Sequence, residues 1–208
     1  MARRYDSSRR KTAAEQTRNR ILQAALKLHW QGITEYEPLA QEAGCSLPAL
    51  RKHFPTKEEL YRNCTQTFAD TLVLPNLDIL GKITAPGQRL RESIAELCRI
   101  HESMFGYAWL GAQQRKESPT LDAEMSAYEG LADAITEIIA PKNRSRKYVI
   151  RGLLDFLTYR ALRLPGKLSP EEVSEQLTTT ISLLVLGHEP VGHSNTQSPT
   201  RKEGDHDY

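Results

Sequence analysis

The sequence predicts an all-α protein, and three observations support this fold class. Apolar residues recur with a helical period in almost every segment, whereas no segment shows the alternating pattern of a strand. Glycine, proline and capping residues separate these segments, for example at Gly32, Ser46 and Pro165. The chain has 208 residues, enough for one or two domains with a sizeable core. We expect about nine helices, with three short helices ahead of longer ones.

The first two helices are expected within the first 43 residues. The first helix runs from about residue 13 to 31, and Gly32 ends it. Thr34 and Glu37 form a T-x-x-E capping pattern, which would place Pro38 at the fourth position of the second helix. Alternatively, the second helix starts later, with Pro38 at its first position. The residues leave both starts open.

Two further helices follow a tight turn. Gly44 supplies the turn, and Ser46 can cap a third helix from Leu47 to about His53. Thr56 begins a second capping box, which opens a fourth helix from Lys57 to about Leu74. The segment therefore contains two short helices and a longer one in close succession.

The remaining two thirds of the chain show longer apolar stripes at helical spacing. One stripe starts at Leu90, a short connecting helix is expected from Tyr107 to about Lys116, and another stripe starts at Leu121. A single helix is expected from about Ile150 to Leu164. Ser169 starts the last helix with a serine cap, a proline and a glutamate in sequence.

Composition limits the class of protein. Apolar residues make up 39% and charged residues 26% of the chain, as in an ordinary globular protein. No apolar run approaches the ~20 residues of a membrane-spanning helix, and no secretory signal is visible. The three cysteines, Cys45, Cys64 and Cys98, suggest buried thiols in a reducing, cytoplasmic location. We expect no metal, no cofactor and no enzymatic activity.

Charge is distributed unevenly along the chain. Residues 1–57 carry eleven Lys/Arg and five Asp/Glu, whereas residues 58–208 carry seventeen and twenty-one. A basic N-terminus is typical of an arm that binds nucleic acid, and equally of a solvated tail. The basic arm comprises Arg3, Arg4, Arg9, Arg10 and Lys11.

The short helices joined by a glycine turn have the pattern of a helix-turn-helix, in which the second helix can enter the DNA major groove. A plain αα-hairpin within a helical bundle is the alternative. Leu50 and Phe54 suit packing against the first helix, and Arg51 and Lys52 suit contact with guanine edges or phosphates.

These residues resemble the N-terminal domain of the TetR family of bacterial transcriptional regulators. The resemblance covers roughly residues 15–65 and includes RNRILQAALKLHWQGITEYEPLAQEAGCSLPALRKHFPTKEELY. Beyond residue 65, only the number and order of helices match. Three departures matter: only Gly32 and Ile33 separate the first helix from Thr34, family members usually have Tyr at the position of Arg51, and a basic residue is common at the position of Glu37.

The resemblance implies a homodimer that binds a palindromic DNA operator, most simply a repressor released by a small-molecule effector. That effector is expected to be lipophilic or aromatic. The alternatives are a DNA-binding dimer without such a switch, with a protein partner or an architectural role, and a much less favoured all-α enzyme. The expected base-facing residues are Leu47, Pro48, Ala49, Arg51 and Lys52. The expected phosphate contacts are Thr34, Tyr36, Ser46, His53, Thr56 and Lys57.

Two further sites are expected in the larger helical part. The ligand pocket candidates are His101, Met104, Phe105, Trp109, Tyr128, Phe156 and Tyr159, although a buried core histidine is the simpler interpretation of His101. The dimer-interface candidates are Ile150, Leu154, Leu157, Leu177, Ile181, Leu184 and Val185.

The predicted organisation has four parts: a disordered basic arm over residues 1–12, a helix-turn-helix domain over 13–56, a helical ligand-binding and dimerisation domain over 57–188, and a disordered tail over 189–208. The tail is polar and has few large apolar groups to bury.

Overall fold

The computed structural model describes residues 7–140 and 144–186, and these residues form eleven α-helices and no strand. The helices are α1 Ser7–Trp30, α2 Tyr36–Glu42, α3 Leu47–His53, α4 Lys57–Ala69, α5 Leu77–Lys82, α6 Pro86–Ser103, α7 Phe105–Gln114, α8 Pro119–Ile139, α9 Arg144–Leu153, α10 Phe156–Arg163 and α11 Pro170–Leu186. The all-α prediction is confirmed. The expected tail over 189–208 lies outside the described residues.

Helix α1 begins at Ser7, six residues before the expected start. The prediction of a disordered arm is therefore wrong for residues 7–12, whereas residues 1–6 lie outside the described part of the chain. Residues 7–15 contain no glycine or proline and are rich in Arg, Lys and Ala, which favour helix.

Helix α2 starts at Tyr36, so Pro38 occupies the third helical position, and neither of the two expected starts is correct. The first intrahelical bond runs from the N–H of Leu39 to the carbonyl of Glu35 at 3.3 Å. Pro38 precedes this bond, at a position whose N–H has no partner within a helix, so the proline removes no hydrogen bond.

Helix α4 ends at Ala69, five residues before the expected Leu74. The Thr71 N–H and hydroxyl both bond the carbonyl of Phe68, at 2.9 and 2.7 Å, which closes the helix with a turn. Helix α5 is not among the expected helices; Asn76 caps it by accepting a hydrogen bond from the Ile79 N–H at 3.1 Å.

The helix expected from Ile150 to Leu164 is two helices, α9 and α10. Asp155 separates them, because its carboxylate accepts a hydrogen bond from the Leu157 N–H at 2.9 Å and caps α10. At Ser169 the capping box forms as expected, with Ser169 and Glu172 each bonding the other's backbone N–H, at 3.2 and 2.7 Å.

The helices enclose two main apolar cores. One core lies under α1 to α4 and includes Ile21, Leu39 and Leu50. The other joins α6, α8, α9, α10 and α11 and includes Ile94 and Ile135. The first four helices, which we call the head, thus have a core of their own, and α5 to α11 form the body.

Helices α1 and α4 of the head contact α7 and α8 of the body. The Tyr107 hydroxyl donates to the carbonyl of Leu26 at 3.0 Å. A Cβ on Gly106 would lie 2.1 Å from the carbonyl oxygen of Trp30, so only glycine permits this approach of α7 to α1. No helix in the described part of the chain is long and apolar enough to cross a membrane.

Candidate nucleic-acid interface

The turn between α2 and α3 is fixed by local hydrogen bonds. Gly44 has a φ of 61°, a left-handed conformation that favours glycine. The Cys45 N–H donates to the carbonyl of Ala40 at 3.0 Å, and the Ser46 hydroxyl accepts from the Ala49 N–H at 3.3 Å. These bonds end α2 and begin α3 within four residues, which gives the sharp reversal of a helix-turn-helix.

The inward side of α3 is anchored in the head. Leu50 and Phe54 are fully buried, in the same core as Ile21 and Leu39. The Tyr36 hydroxyl donates to the Phe54 carbonyl at 2.9 Å, which ties the start of α2 to the end of α3. Helix α3 is therefore short but firmly anchored in the head.

The outward side of α3 carries most of the residues expected to face DNA bases. Pro48, Arg51 and Lys52 are exposed, and Ala49 is half-buried. Leu47 is also half-buried and packs partly against the core of the head, so only part of its side chain is accessible. Within the described residues, Arg51 makes no ion pair, which leaves its guanidinium available to a partner.

Four of the residues expected at phosphates remain accessible. Ser46, Thr56 and Lys57 are exposed, and His53 is half-buried. The Thr56 hydroxyl caps α4 by accepting from the Glu59 N–H at 3.2 Å. Lys57 Nζ donates to the Thr34 hydroxyl at 3.3 Å, which holds the ammonium near the start of α4.

Thr34 and Tyr36 were expected at phosphates, and the structure contradicts this for their side chains. Thr34 is 2% exposed, and its hydroxyl accepts from Lys57. Tyr36 is 9% exposed and its hydroxyl is bound to Phe54. Both hydroxyls form hydrogen bonds within the head. These two bonds depend on tertiary contacts, so the sequence does not reveal them.

A shallow hollow of about 380 Å³ lies beside α3, lined by Arg51, Lys57 and the carboxylates of Glu35 and Glu37, among others. Hydrogen bonds from the backbone N–H groups of Glu35 and Thr34 lower the pKa of the Glu35 carboxyl. Glu37 is exposed, so the structure does not remove the negative charge that the sequence placed near the candidate DNA surface.

The expected basic arm is only partly described. Arg3 and Arg4 lie outside the described residues. Arg9, Arg10 and Lys11 belong to the first turns of α1, and Lys11 is exposed. These three residues therefore extend from the head on a helix.

The residues expected to line a ligand pocket pack mainly against one another. His101 is 2% exposed, and its ring contacts those of Tyr128, Phe156 and Tyr159 at centroid distances of 5.5, 6.0 and 5.1 Å. Phe105 contacts Phe156 and Tyr159 in turn. These five side chains pack against one another and line none of the described cavities, so a ligand pocket at these positions stays a prediction.

His101 has partners for both ring nitrogens. Its Nε2 donates to the carbonyl of Leu154 at 3.0 Å, and Nδ1 therefore accepts from the Tyr128 hydroxyl. Burial lowers the pKa of His101 to about 4, so the ring is neutral at pH 7. His101 is a satisfied core histidine. Trp109 lies outside any described cavity. Its ring stacks under the Arg160 guanidinium, with 3.7 Å between the ring centroid and Cζ of Arg160.

A different cavity, of about 90 Å³, lies between α1, α4, α7 and α8. Of the seven expected pocket residues, it is lined by Met104 alone. His29 is not among the expected pocket residues, yet it lines this cavity and is 2% exposed. A signal was present, because His29 follows Leu22 and Ala25 at helical spacing on the apolar stripe of α1.

The residues expected at a dimer interface divide into two groups. Ile150, Leu154, Leu177 and Ile181 are at most 4% exposed inside the core of the body, so they are not available to a partner. Leu157 is 54% exposed, and Leu184 and Val185 are half-buried. Other exposed apolar residues on the last three helices and just after α10 are Tyr148, Val149, Leu164, Leu183 and Leu186.

Comparison with known proteins agrees with this geometry. No protein-family model matches the chain. The HTH-type transcriptional activator FasR of Mycolicibacterium smegmatis is 32% identical over 114 residues, which are 54% of this chain and 51% of FasR. The chain thus matches about half the length of this curated relative.

Two solved structures share the fold. A transcriptional regulator from Rhodococcus sp. RHA1 is 21% identical with a TM-score of 0.53, over 83% of this chain and 96% of that one. NalD, the secondary repressor of the MexAB-OprM multidrug efflux pump in Pseudomonas aeruginosa, is 19% identical with a TM-score of 0.51, over 82% and 95%. These relatives are transcriptional regulators, not enzymes. The chain thus shares the all-helical fold of these two solved structures, and about half of it is similar in sequence to FasR.

Proposed function

We propose that the chain is a sequence-specific DNA-binding transcriptional regulator, a homodimeric repressor that binds a palindromic operator and is released by a small-molecule effector. The observation that carries this proposal is the outward face of α3, where Pro48, Arg51 and Lys52 are exposed on a helix anchored by Leu50 and Phe54. A rigid support with a small, cationic outer face suits entry into the major groove.

Arg51 is the proposed specificity residue. Its guanidinium can donate two parallel hydrogen bonds to O6 and N7 of a guanine, the commonest specific contact in the major groove. Lys52 and Ala49 would contact neighbouring bases, and Ser46, His53, Thr56 and Lys57 would contact phosphates. The negative charges of Glu35 and Glu37 beside Arg51 disfavour a phosphate at that point, which supports a base contact instead.

The proposed dimer uses the apolar residues exposed on the last three helices. Helices α9 and α10 both pack against α11, and six large apolar side chains at their surface are between 50% and 63% exposed. A two-fold contact would cover such side chains, as in a helical bundle shared by two subunits. Leu183→Glu should yield monomers in analytical ultracentrifugation. Ile79→Glu, on the α5 surface with nearly the same exposure, is the matched control and should remain dimeric.

Transcription in vitro tests the proposed role as a repressor. Genomic fragments bound by the full chain would be used as templates for transcription in vitro, with and without the protein. The proposal expects less transcript when the protein is added, and Arg51→Ala should restore it. An increase in transcript would contradict the repressor role, and failure to retain any fragment would contradict DNA binding.

A DNA-binding dimer without a small-molecule switch is the second candidate. The filled aromatic cluster around His101 favours it, because the space expected for an effector is occupied by side chains. The cavity beside His29 favours the switch. The two candidates differ in whether small molecules change the affinity of the protein for its operator.

A further inference from the structure

The cavity between α1, α4, α7 and α8 lies where the head meets the body. Tyr61, Cys64 and Phe68 line it from α4, and Leu110 and Met125 line it from α7 and α8. Its volume is about 90 Å³, about three times the ~30 Å³ that one water occupies in the liquid. Both the head and the body contribute walls to this cavity.

His29 contributes a polar group that lacks a partner at this cavity. Its side chain is 2% exposed, and its Nε2 has no hydrogen-bond partner in the described residues. A buried donor or acceptor without a partner costs on average about as much as a lost hydrogen bond, so few such groups persist in folded proteins. His101, the other buried histidine, has both nitrogens satisfied. The difference indicates that Nε2 of His29 can take a partner from beyond the described residues, such as a molecule bound in the cavity.

The charge of the cavity defines the kind of partner. Burial, with a smaller contribution from Lys57, lowers the pKa of His29 to about 4, so its ring is neutral at pH 7. Glu124, an exposed residue, is the one charged side chain among the described cavity lining. Burial also raises the pKa of the Cys64 thiol to about 12, so that group stays protonated. The walls therefore favour a neutral and mainly apolar molecule.

A hydroxyl is the polar group that suits a neutral imidazole best. It can donate to Nε2 in one tautomer and accept from it in the other. The adaptable side chains of Met104 and Met125 line the cavity and can move to admit a guest somewhat larger than the resting space. An apolar cavity of about 150 Å³ holds a benzene ring, so this cavity must enlarge by about 60 Å³ to admit a guest of that size.

We propose that this cavity binds a small, neutral alcohol or phenol whose hydroxyl pairs with Nε2 of His29. The role of such a molecule as the effector rests on the proposed function, whereas its binding does not. Tyr61 links the cavity to the start of α4, because its ring centroid lies 5.4 Å from that of His29 and α4 starts four residues earlier at Lys57. A guest that separates α4 from α7 and α8 would move the start of α4, which follows α3 directly.

The test measures binding to the full chain without DNA. Phenol and toluene are matched in size and differ in the hydroxyl, and their affinities are measured by calorimetry for the wild type and for His29→Phe. The preference for phenol over toluene, which is the ratio of their affinities, should fall about tenfold in His29→Phe, because that factor corresponds to the loss of one hydrogen bond to a buried group. His101→Gln, at a buried histidine outside the cavity, should leave the ratio unchanged.

A second measurement does not depend on whether His29→Phe folds. In wild-type protein labelled with ¹⁵N-histidine, phenol should shift the Nε2 resonance of His29, and toluene should shift it far less. An unchanged ratio in His29→Phe, or a resonance that phenol does not move, overturns the proposal. If phenol binds at His29 without altering operator affinity, the site is supported and the effector-release part of the proposed function is contradicted.

Discussion

Replacing Arg51 by alanine separates DNA recognition from folding. Arg51 is exposed and makes no ion pair within the described residues, so its removal should change the free energy of unfolding by no more than about 0.5 kcal/mol. Leu50, the adjacent residue, is fully buried, and Leu50→Ala should instead destabilise the head by about 2–5 kcal/mol. Adjacent residues on α3 thus have opposite expected effects.

The expected reduction in DNA affinity follows from the geometry of the contact. A bidentate arginine–guanine pair contributes about 1–3 kcal/mol of discrimination, and a dimer presents two copies of α3. Arg51→Ala should therefore weaken operator binding by about 2–6 kcal/mol. Arg51→Lys keeps the charge but not the planar fork, so it should remove most of the discrimination and retain the salt dependence.

Fluorescence anisotropy with a labelled operator measures both quantities. Affinities are compared for the operator and for versions with one base pair changed in each half-site. Arg51→Ala should become insensitive to one symmetric position and stay sensitive to the others. Arg91→Ala, an exposed arginine on α6, is the control and should bind as the wild type does. Equal weakening on every sequence would show that Arg51 contacts phosphate, and the specificity argument would be refuted.

Three further predictions concern the arm, the turn and pH. Deleting residues 2–11 should weaken DNA binding and reduce the slope of log affinity against log salt by about one for each phosphate that the arm neutralises; an unchanged slope would contradict a role for the arm. Gly44→Ala should cost about 1–2 kcal/mol in urea unfolding because of its φ of 61°, whereas Gly130→Ala, in an open part of α8, should stabilise the chain by up to about 1 kcal/mol. The pKa values of His29 and His101 are lowered from 6.5 to about 4, so the unfolded chain binds more protons between these values. The contribution of these two histidines to the free energy of unfolding should be constant above about pH 6.5 and should fall towards pH 4, by about 3 kcal/mol for each histidine. A profile that stays flat over this range would contradict their burial as neutral groups.

The head could be predicted closely from sequence because its determinants are local. Ser46 and Thr56 each cap a helix that starts at the next residue. Gly44 indicates a turn by its residue type alone, and its φ is positive as such a turn requires. The limits of α3 therefore agree with the prediction at both ends. The break between α9 and α10 has an equally local cause in Asp155, and the apolar stripe running through it obscured that signal.

The sites in the body could not be predicted in the same way, because they depend on which faces meet. Ile150 and Ile181 lie on apolar stripes that suit a dimer interface and a buried core equally well, and the structure places both in the core. His101 and His29 both occupy apolar stripes. Only tertiary contacts satisfy both ring nitrogens of His101 and leave Nε2 of His29 without a hydrogen-bond partner in the described residues. Periodicity identifies a buried face but does not identify what covers it.

The central claim is that two copies of α3 read DNA through Arg51, and selection from a random pool tests it most directly. The full chain would be used to enrich double-stranded DNA over several rounds, and the bound sequences would be compared. The account predicts a palindrome with a guanine at a fixed position in each half-site, the two halves about one helical turn (~34 Å) apart. Enrichment of no sequence, or of one without two-fold symmetry, would contradict it.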